Sequence, residues 1–288
     1  MAGFETGRSH IGQNIIFGSD FGGSVDNIRV KGSGRKIFKS VSIDTDCCDL
    51  KGYDIIQGAL DLELLLRDHP PAIFTWVVDP GVGTERRGLL IETRDGSALI
   101  GPDNGLLVPA ARYSGIDKIW ALNRRKLRAG SFSLFDGRDW FIKAAARLQE
   151  GALPKDIANP NPIKPEEIIP LSFKRNQVVR IDGSGNVVLQ NAGHSYIPYK
   201  TELSIVAPGY RGRVNFVRSF DDVPTNELGA LRGTTGRRIW VFANQKSAAD
   251  ILQVEVGQVL GVFPIGARLD RAFLEGNQRV ATAGGQYL

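Results

Sequence analysis

Residues 76–90, WVVDPGVGTERRGLL, join the end of a buried strand to a glycine-rich turn that carries fixed charges. The apolar, β-branched residues 73–78 predict a short buried strand, and Pro80 and Gly81 end it at once. Asp79 therefore lies at the carboxyl end of a strand. In open α/β sheets this end is where ligands bind, and a glycine there lets the backbone approach a ligand closely.

Two arginines follow this turn. Arg86 and Arg87 are near enough along the chain to return and pair with Asp79. Asp20, which precedes two glycines after another apolar run, repeats the arrangement of an acid at a strand end. Asp79 could instead cap its own turn, so the pattern alone leaves both interpretations of this residue open.

The composition is that of an ordinary globular protein. The chain has 288 residues, of which 42% are hydrophobic, and this is enough for two domains with cores of their own. No apolar run approaches the roughly 20 residues that a membrane span needs, and the polar residues 1–10 lack a signal-peptide core. Cys47 and Cys48 are adjacent, which suits neither an ordinary disulfide nor a zinc site. We therefore expect a cytoplasmic protein without a membrane partner.

Basic residues outnumber acidic ones, with a formal net charge of +5. They cluster within residues 124–128, 211–213 and 237–238 and could meet phosphates. No recognition-helix, zinc-finger or RNA-binding aromatic pattern accompanies them, so nucleic-acid binding is not indicated. We interpret these clusters as solvated faces.

The N-terminal half alternates strand and helix patterns. The sequence predicts helices over residues 53–67 and 108–113 and within 133–148, and strands over residues 14–18, 37–43, 73–78, 89–93 and 97–101. The order strand, helix, strand implies βαβ units and a largely parallel sheet. Residues 1–150 are thus predicted to form an α/β domain.

The C-terminal half shows a different sequence pattern. Residues 151–170 hold five prolines, which is typical of a linker rather than of a continuous helix or inner strand. Short strands then alternate with turn residues, and they predict an all-β, barrel-like domain over residues 171–288. The predicted strands cover residues 177–181, 186–190, 202–207, 214–217, 238–243 and 258–263.

Taken together, the motifs resemble one family. VVDPGVGTERR at 77–87, IGPDNGLL at 100–107, FDGRDWF at 135–141, DGSGN at 182–186 and GTTGRRIWVFANQKSAAD at 233–250 occur in the order seen in S-adenosyl-L-methionine hydroxide adenosyltransferases, which are related to fluorinase and chlorinase. This resemblance covers about residues 14–262. It implies a homotrimer in which the α/β domain of one subunit and the barrel of its neighbour share each site.

The resemblance also implies the substrate-binding residues. Asp20 would hold the ribose diol, Tyr53 would stack on adenine and Phe135 would line the ribose. The methionine end and the base would be fixed by residues of the barrel. Asp26 matches a further acid of the family, with the spacing displaced by one residue. The barrel residues are Asp182, Asn186, Thr234 and Thr235.

The reaction that the resemblance implies needs no metal and no redox cofactor. S-Adenosylmethionine is a sulfonium whose C5′ is already activated, so the enzyme has only to place a nucleophile in line behind it. The family orients water with an Asp, an Arg and a His. Asp79 and Arg86 match the first two, but Asp136 stands where the histidine is expected, and none of the three histidines lies in a matching motif. Those histidines are His10, His69 and His194.

Three functions remain open at this point. In the first, water attacks C5′ to give adenosine and L-methionine, and Asp136 orients the water or acts as base. Two carboxylates beside one water would hold a proton more strongly, and Arg86 would offset this effect. In the second, another nucleophile such as chloride attacks, although two acids would repel a halide. In the third, the protein binds the nucleoside without turnover. Asp136 and Arg138 could also be only a helix cap and its salt bridge.

Overall fold

The structure is a computed structural model that describes residue 10 and residues 12–47, 49–190, 197–233 and 238–265. The chain divides into two compact units, Met1–Phe173 and Lys174–Leu288, which are called unit 1 and unit 2 below. Among the described residues, no helix is long and apolar enough to cross a membrane.

Unit 1 is built on a six-stranded sheet of order β2-β1-β3-β5-β4-β6. Strands β2, β1, β3 and β5 are parallel, while β4 runs antiparallel to both β5 and β6, so the prediction of a largely parallel sheet is confirmed. The strands are β1 (Ile15–Ser19), β2 (Ile43–Cys47), β3 (Ile73–Val77), β4 (Gly88–Thr93), β5 (Ala98–Pro102) and β6 (Ile116–Ala121). The helices are α1 (Ser24–Ile37), α2 (Ile55–Asp68), α3 (Val108–Ser114), α4 (Ile142–Glu150) and the short α5 (Pro154–Ile157).

Strand β3 shows why this sheet lies between two layers of helices. All five of its residues are buried, and successive side chains enter different cores. Ile73 and Val77 belong to one hydrophobic cluster, and Phe74 and Trp76 belong to another. A strand that is buried on both faces reads as a continuous apolar run, which is how the sequence predicted it.

Helix α2 follows from its apolar spacing and its cap. Ala59, Leu62 and Leu66 are buried on the face that packs against the sheet. Asp54 accepts a hydrogen bond from the Gln57 amide at 2.9 Å, which satisfies one of the free N–H groups of the first turn. This helix is confirmed within two residues of its predicted bounds.

The predicted strand over residues 37–43 is wrong. Residues 24–37 form helix α1, and the second strand begins only at Ile43. Of α1, only Val30 and Gly34 are buried, so the helix lacks the apolar stripe on which the prediction depended. Strand β6 was also missed, because polar residues interrupt its apolar ones.

The proline-rich residues 151–170, interpreted above as a linker, lie in unit 1. Isolated bridges pair Ile119 with Ile163 and Leu122 with Ala158. Asp103, from the IGPDNG motif, accepts a hydrogen bond from the Ile169 amide at 2.8 Å. The segment thus contains the short helix α5, and hydrogen bonds to residues in and next to β6 and to Asp103 hold it against unit 1.

Unit 2 is a seven-stranded sheet of order β13-β9-β10-β11-β12-β8-β7. Its first and last strands approach each other, since Gln177 pairs with Val259 and the Val178 amide donates to the Gln258 carbonyl at 2.7 Å. The predicted all-β, barrel-like fold is confirmed. The strands are β7 (Val178–Ile181), β8 (Val187–Gln190), β9 (Glu202–Ala207), β10 (Tyr210–Val217), β11 (Leu228–Arg232), β12 (Arg238–Ala243) and β13 (Gly261–Pro264), and β12 is followed by α6 (Ala248–Leu252). Strand β11 and helix α6 were not predicted.

Candidate active site

A cavity of about 250 Å³ opens at the carboxyl ends of β1 and β3. Asp20 directly follows β1, and Asp79 follows β3 by two residues. Asp136 reaches the same cavity from a loop more than fifty residues further along the chain. Tyr53 and Phe135 complete the set of predicted residues that line it. Four separate segments of unit 1 therefore meet at one point.

Asp79 is held by the arginine that the sequence indicated. Its Oδ1 lies 2.5 Å from an Arg86 Nη and accepts a hydrogen bond from the Gly81 amide at 3.1 Å. Only 6% of the Asp79 side chain is exposed. Burial raises the pKa of the Asp79 carboxyl, and the charges of Asp136 and Asp20 add to the rise, whereas Arg86 and the Gly81 amide oppose it.

The loop from Asp79 to Arg86 depends on Gly81. A Cβ at this residue would overlap the Arg86 guanidinium, so only glycine lets the arginine fold back over the turn. The Thr84 hydroxyl closes the turn by donating to the Gly81 carbonyl at 2.9 Å. Arg87 takes no part in this turn. It pairs with Asp103 at 2.7 Å, so of the two candidate arginines only Arg86 reaches Asp79.

Asp136 has a different partner, which sequence reasoning missed. Arg124 donates to its Oδ1 at 2.9 Å and to its Oδ2 at 2.5 Å. The Arg124 guanidinium also lies 3.7 Å from the centre of the Trp140 ring. A two-pronged pair of this kind is strong and fixes the plane of the carboxylate. Asp136 itself is only 4% exposed.

The pairing excludes the simplest structural role for Asp136. Residues Gly137–Phe141 form a single π-helical turn that leads into α4, and the Asp136 side chain caps no backbone amide of this turn. Arg138 pairs with Asp139 at 2.6 Å and not with Asp136. Asp136 is therefore neither a helix cap nor the partner of Arg138. Single π turns of this kind frequently mark functional sites.

Asp20 and Tyr53 form the outer part of the cavity. The Tyr53 amide donates to Asp20 Oδ2 at 2.9 Å, which fixes the carboxylate against the loop that precedes α2. Tyr53 has a positive φ of 61° and an exposed side chain, 80% accessible. A non-glycine residue in this conformation is strained, and such strain is common at ligand sites. Oδ1 of Asp20 has no protein partner among the described residues.

An aromatic cluster forms the inner wall. The Phe135 ring packs edge-on against Phe21 at 4.4 Å between centroids, and Phe21 contacts Phe17 beneath the sheet end. Gly137 lies beside these rings, where a Cβ would come within 3.0 Å of Phe21. One side of the cavity is therefore apolar, and its charged side chains are the carboxylates.

The other predicted binding residues do not line this cavity. Asp26 lies in the first turn of α1, pairs with Arg29 at 3.0 Å and is absent from the lining. Thr234 and Thr235 lie outside the described residues. Asp182 and Asn186 belong to unit 2.

In unit 2, Asp182 shapes a loop. Its Oδ1 accepts hydrogen bonds from the Ser184 and Asn186 amides, and its Oδ2 accepts one from Asn186 Nδ2 at 2.9 Å. Asn186 lines a separate surface cavity of about 540 Å³, together with Phe220 and residues 243–247. Asp182 is absent from that lining and acts on it through Asn186.

No histidine lines the unit 1 cavity in the part of the chain that the structure describes. His10 is fully buried, with Nε2 3.6 Å from Glu92 Oε1, beside the end of β4 that is remote from the cavity. His69 follows α2 and contacts the Pro70 carbonyl. His194 lies outside the described residues.

The charges of the cavity suit a cationic ligand. Asp20, Asp79 and Asp136 line it, and two arginines, Arg86 and Arg124, pair with two of the three acids. Among the described residues, one negative charge is left without a paired cation.

Arg124 belongs to the basic cluster at 124–128 that was interpreted as a solvated face. That interpretation is wrong for Arg124, whose side chain is only 17% exposed, and it holds for Arg125, which is exposed.

Comparison with known proteins places both units in one family. Residues 15–158 match the N-terminal domain of the SAM hydroxide adenosyltransferases, and residues 176–260 match their C-terminal domain. A protein of Salinispora tropica named (R)-S-adenosyl-L-methionine hydrolase is 35% identical over 222 residues, which cover 73% of this chain and 81% of the relative. A protein of the same name from Methanocaldococcus jannaschii is 29% identical over 188 residues, or 63% of this chain and 68% of the relative.

Solved structures support the same fold. An uncharacterized conserved protein of Thermotoga maritima superposes with a TM-score of 0.75 at 23% identity, covering 86% of this chain and all of that protein. A conserved hypothetical protein of Thermus thermophilus gives a TM-score of 0.70 at 25% identity, covering 87% of this chain and all of that protein.

Proposed function

We propose that this chain, which belongs to the SAM hydroxide adenosyltransferase family, hydrolyses S-adenosyl-L-methionine to adenosine and L-methionine. One observation carries the proposal. Five residues that the sequence motifs indicate as site residues all line one cavity, namely Asp20, Tyr53, Asp79, Phe135 and Asp136.

The chemistry of this cavity fits attack of water at C5′. Asp20 would accept the ribose hydroxyls through the oxygen that has no protein partner among the described residues, while the Tyr53 amide holds the other oxygen. The Phe135 wall would place the ribose, and the residual negative charge would favour the sulfonium over the neutral product. Water would then be oriented by Asp79 and Asp136, and methionine would leave as a neutral thioether.

The reaction that we propose uses S-adenosylmethionine as substrate and needs no metal or cofactor. The sulfonium already makes C5′ electrophilic, so catalysis requires alignment, a hydrogen-bond acceptor and removal of one proton. A raised pKa brings the Asp79 carboxyl nearer to the pH at which a base both stays ionised and accepts a proton well.

Substitution by chloride fits the cavity less well. A halide would have to enter beside three carboxylates, two of which are already paired with arginine. Like charges at short distance are strongly unfavourable in a site of low dielectric. The acids that attract a sulfonium thus oppose a halide nucleophile.

Product analysis tests the proposal. Purified protein is incubated with S-adenosylmethionine, with and without sodium chloride, and the nucleosides are separated by chromatography. We expect adenosine and methionine in equal amounts, unchanged by chloride. A 5′-chloro nucleoside would establish the halogenase alternative, and tight binding without turnover would establish a nucleoside-binding protein.

We also propose a homotrimer in which unit 2 of a neighbouring subunit completes each site. Two observations support this. At about 250 Å³ the unit 1 cavity is smaller than the roughly 300–1,000 Å³ that is usual for pockets enclosing a ligand of this size. Its rim also exposes Tyr53 and Leu134, which are 80% and 73% accessible, and Phe132 nearby is 63% accessible. Exposed apolar side chains grouped at a site often mark a surface that another chain covers.

Complementation tests the shared site. Asp79→Asn removes a group of unit 1, and Asn186→Ala removes a group of unit 2. If subunits share sites, a random equimolar mixture of the two inactive variants should recover about a quarter of wild-type activity, since chance pairs an intact unit 1 with an intact neighbouring unit 2 at that frequency. Absence of recovery in trimers shown to be mixed, or a monomer with full activity, would contradict the proposal.

The cytoplasmic location expected from the sequence stays a prediction.

A further inference from the structure

Two arginine–aspartate pairs border the same cavity, and they differ in how many carboxylate oxygens are engaged by protein groups. The Asp79 carboxylate meets Arg86 and the Gly81 amide, and both of these contacts use Oδ1. Its Oδ2 has no protein partner among the described residues. Asp136 instead gives both oxygens to Arg124.

We propose that Arg124 is a positioning residue, which holds Asp136 as a fixed anion and thereby assigns the removal of the water proton to Asp79. The inference rests on the hydrolysis proposed above and deepens it. Asp136 then orients the attacking water, since a carboxylate has about four acceptor positions and Arg124 occupies two.

The surroundings of Arg124 fit this role. Its side chain is 17% exposed, and its guanidinium lies over the ring of Trp140, which is 3% exposed, so the arginine can move little. The neighbouring Arg125 is exposed, and its amide rather than its side chain contacts Asn123. Of this adjacent pair, only Arg124 is built into the site.

The proton balance of the step is simple. Water attacks C5′ as the bond from C5′ to sulfur breaks, and the sulfur keeps the electron pair of that bond. The water proton passes to Oδ2 of Asp79 and later to solvent. The negative charge of Asp136 favours the protonated form of Asp79, and burial acts in the same direction. Both oxygens of Asp136 already accept hydrogen bonds from Arg124, whereas no hydrogen bond from the described residues reaches Oδ2 of Asp79.

The experiment compares pH profiles of kcat/KM in variants of the two groups. Asp136→Asn should move the acid limb to lower pH, because Asp79 loses a neighbouring negative charge, and should lower kcat by roughly tenfold or less. Arg124→Gln should move the limb to higher pH by about one unit, because Asp136 is then uncompensated beside Asp79. Arg124→Lys, which keeps the charge, should hold the limb near its wild-type position.

Controls separate this role from simple support of the fold. Arg125→Gln removes the same charge from the exposed neighbour and should leave the profile unchanged. If Arg124→Gln folds poorly, the double variant Arg124→Gln with Asp136→Asn pairs two neutral amides and should show the profile of Asp136→Asn alone. A merely structural arginine would lower the rate equally at every pH and leave the limb in place.

Two results would overturn the proposal. One is an unchanged acid limb in folded Arg124→Gln, and the other is an Asp136→Asn enzyme as inactive as Asp79→Asn. Carbon-13 NMR of labelled aspartate carboxyls follows the titration of Asp79 directly in each variant, without turnover. Asp79→Asn is used to assign the resonance. If the wild type releases no adenosine, the proposed function fails, while the carboxyl titration still decides the effect of Arg124 on Asp79.

Discussion

The loop after β3 and the loop before α4 each bring one nearly buried aspartate and one arginine to the cavity, yet they build the pair differently. In the first loop, Arg86 returns to Asp79 over a turn of seven residues that Gly81 makes possible. In the second, Arg124 reaches Asp136 across twelve residues and is fixed by Trp140. Among the described residues, no hydrogen bond reaches Oδ2 of Asp79, whereas both oxygens of Asp136 accept from Arg124.

This difference shows that equal composition does not give equal chemistry. Both pairs carry no net charge, but only the Asp79 carboxyl combines such an oxygen with a pKa raised by burial. A base needs both features, whereas a group that orients water needs a fixed position. The two loops thus support different steps of one reaction.

The largest effect is expected for Asp79→Asn. Loss of the proton acceptor should lower the rate of adenosine formation by roughly 10²- to 10⁴-fold, the usual range for a general base. Adenosine affinity should stay nearly unchanged, because the base does not hold the ribose. Steady-state rates and calorimetry measure the two effects. Glu85→Gln, an exposed acid in the same loop, is the matched control and should behave as wild type.

Asp20→Ala should act on binding rather than on the chemical step. Loss of a charged hydrogen bond costs about 1.5–3 kcal/mol, which corresponds to roughly 10- to 150-fold in adenosine affinity. Asp26→Ala should have a much smaller effect, since Asp26 faces Arg29 outside the cavity lining. Equal losses of affinity in the two variants, measured by calorimetry, would remove the ribose assignment from Asp20.

Gly81→Ala tests the first loop without changing a charge. The added methyl group would occupy the position of the Arg86 guanidinium, so Asp79 should lose its partner and kcat should fall by about tenfold. Gly32→Ala is the control, because a Cβ there meets nothing within 4 Å and lies in a helix. It should keep full activity and gain roughly 0.5–1 kcal/mol of stability. A fully active Gly81→Ala enzyme would show that Arg86 is not needed.

The smallest effect concerns stability against pH. Because the pKa of Asp79 is raised in the folded state, folding favours its protonated form, and stability falls as pH rises from the unfolded pKa through the folded one. Asp79→Asn has no such group, so at neutral pH it should melt about 1–4 °C higher than wild type. The difference should vanish below the unfolded pKa. Scanning calorimetry across pH measures it, and a variant that melts lower at neutral pH would contradict the expected sign.

The sequence predicted those parts of the fold and site that depend on local patterns. Strand β3, helix α2 and the Asp79–Arg86 pair follow from an apolar run, a helical spacing and a short glycine turn. Helix α1 was missed because its exposed surface gives it no apolar stripe. Strand β11 was missed because Gly229 and Ala230 weaken its pattern.

Arg124 escaped prediction for a tertiary reason. It stands in a run of basic residues in which nothing local distinguishes the buried arginine from its exposed neighbours. Only the position of Trp140, sixteen residues later, shows which side chain turns inward. Arg87 gives the converse case, since its partner Asp103 is brought near by the pairing of β4 with β5.

The measurement that tests the central claim most directly is isotope incorporation from water. Turnover of S-adenosylmethionine in H₂¹⁸O should give adenosine with one ¹⁸O atom at its 5′-oxygen and methionine with none, because water attacks C5′ and methionine leaves with its sulfur unchanged. Mass spectrometry of both products decides it. Adenosine without the label, a product in which C5′ carries another nucleophile, or ¹⁸O in the methionine carboxylate would contradict hydrolysis at this carbon.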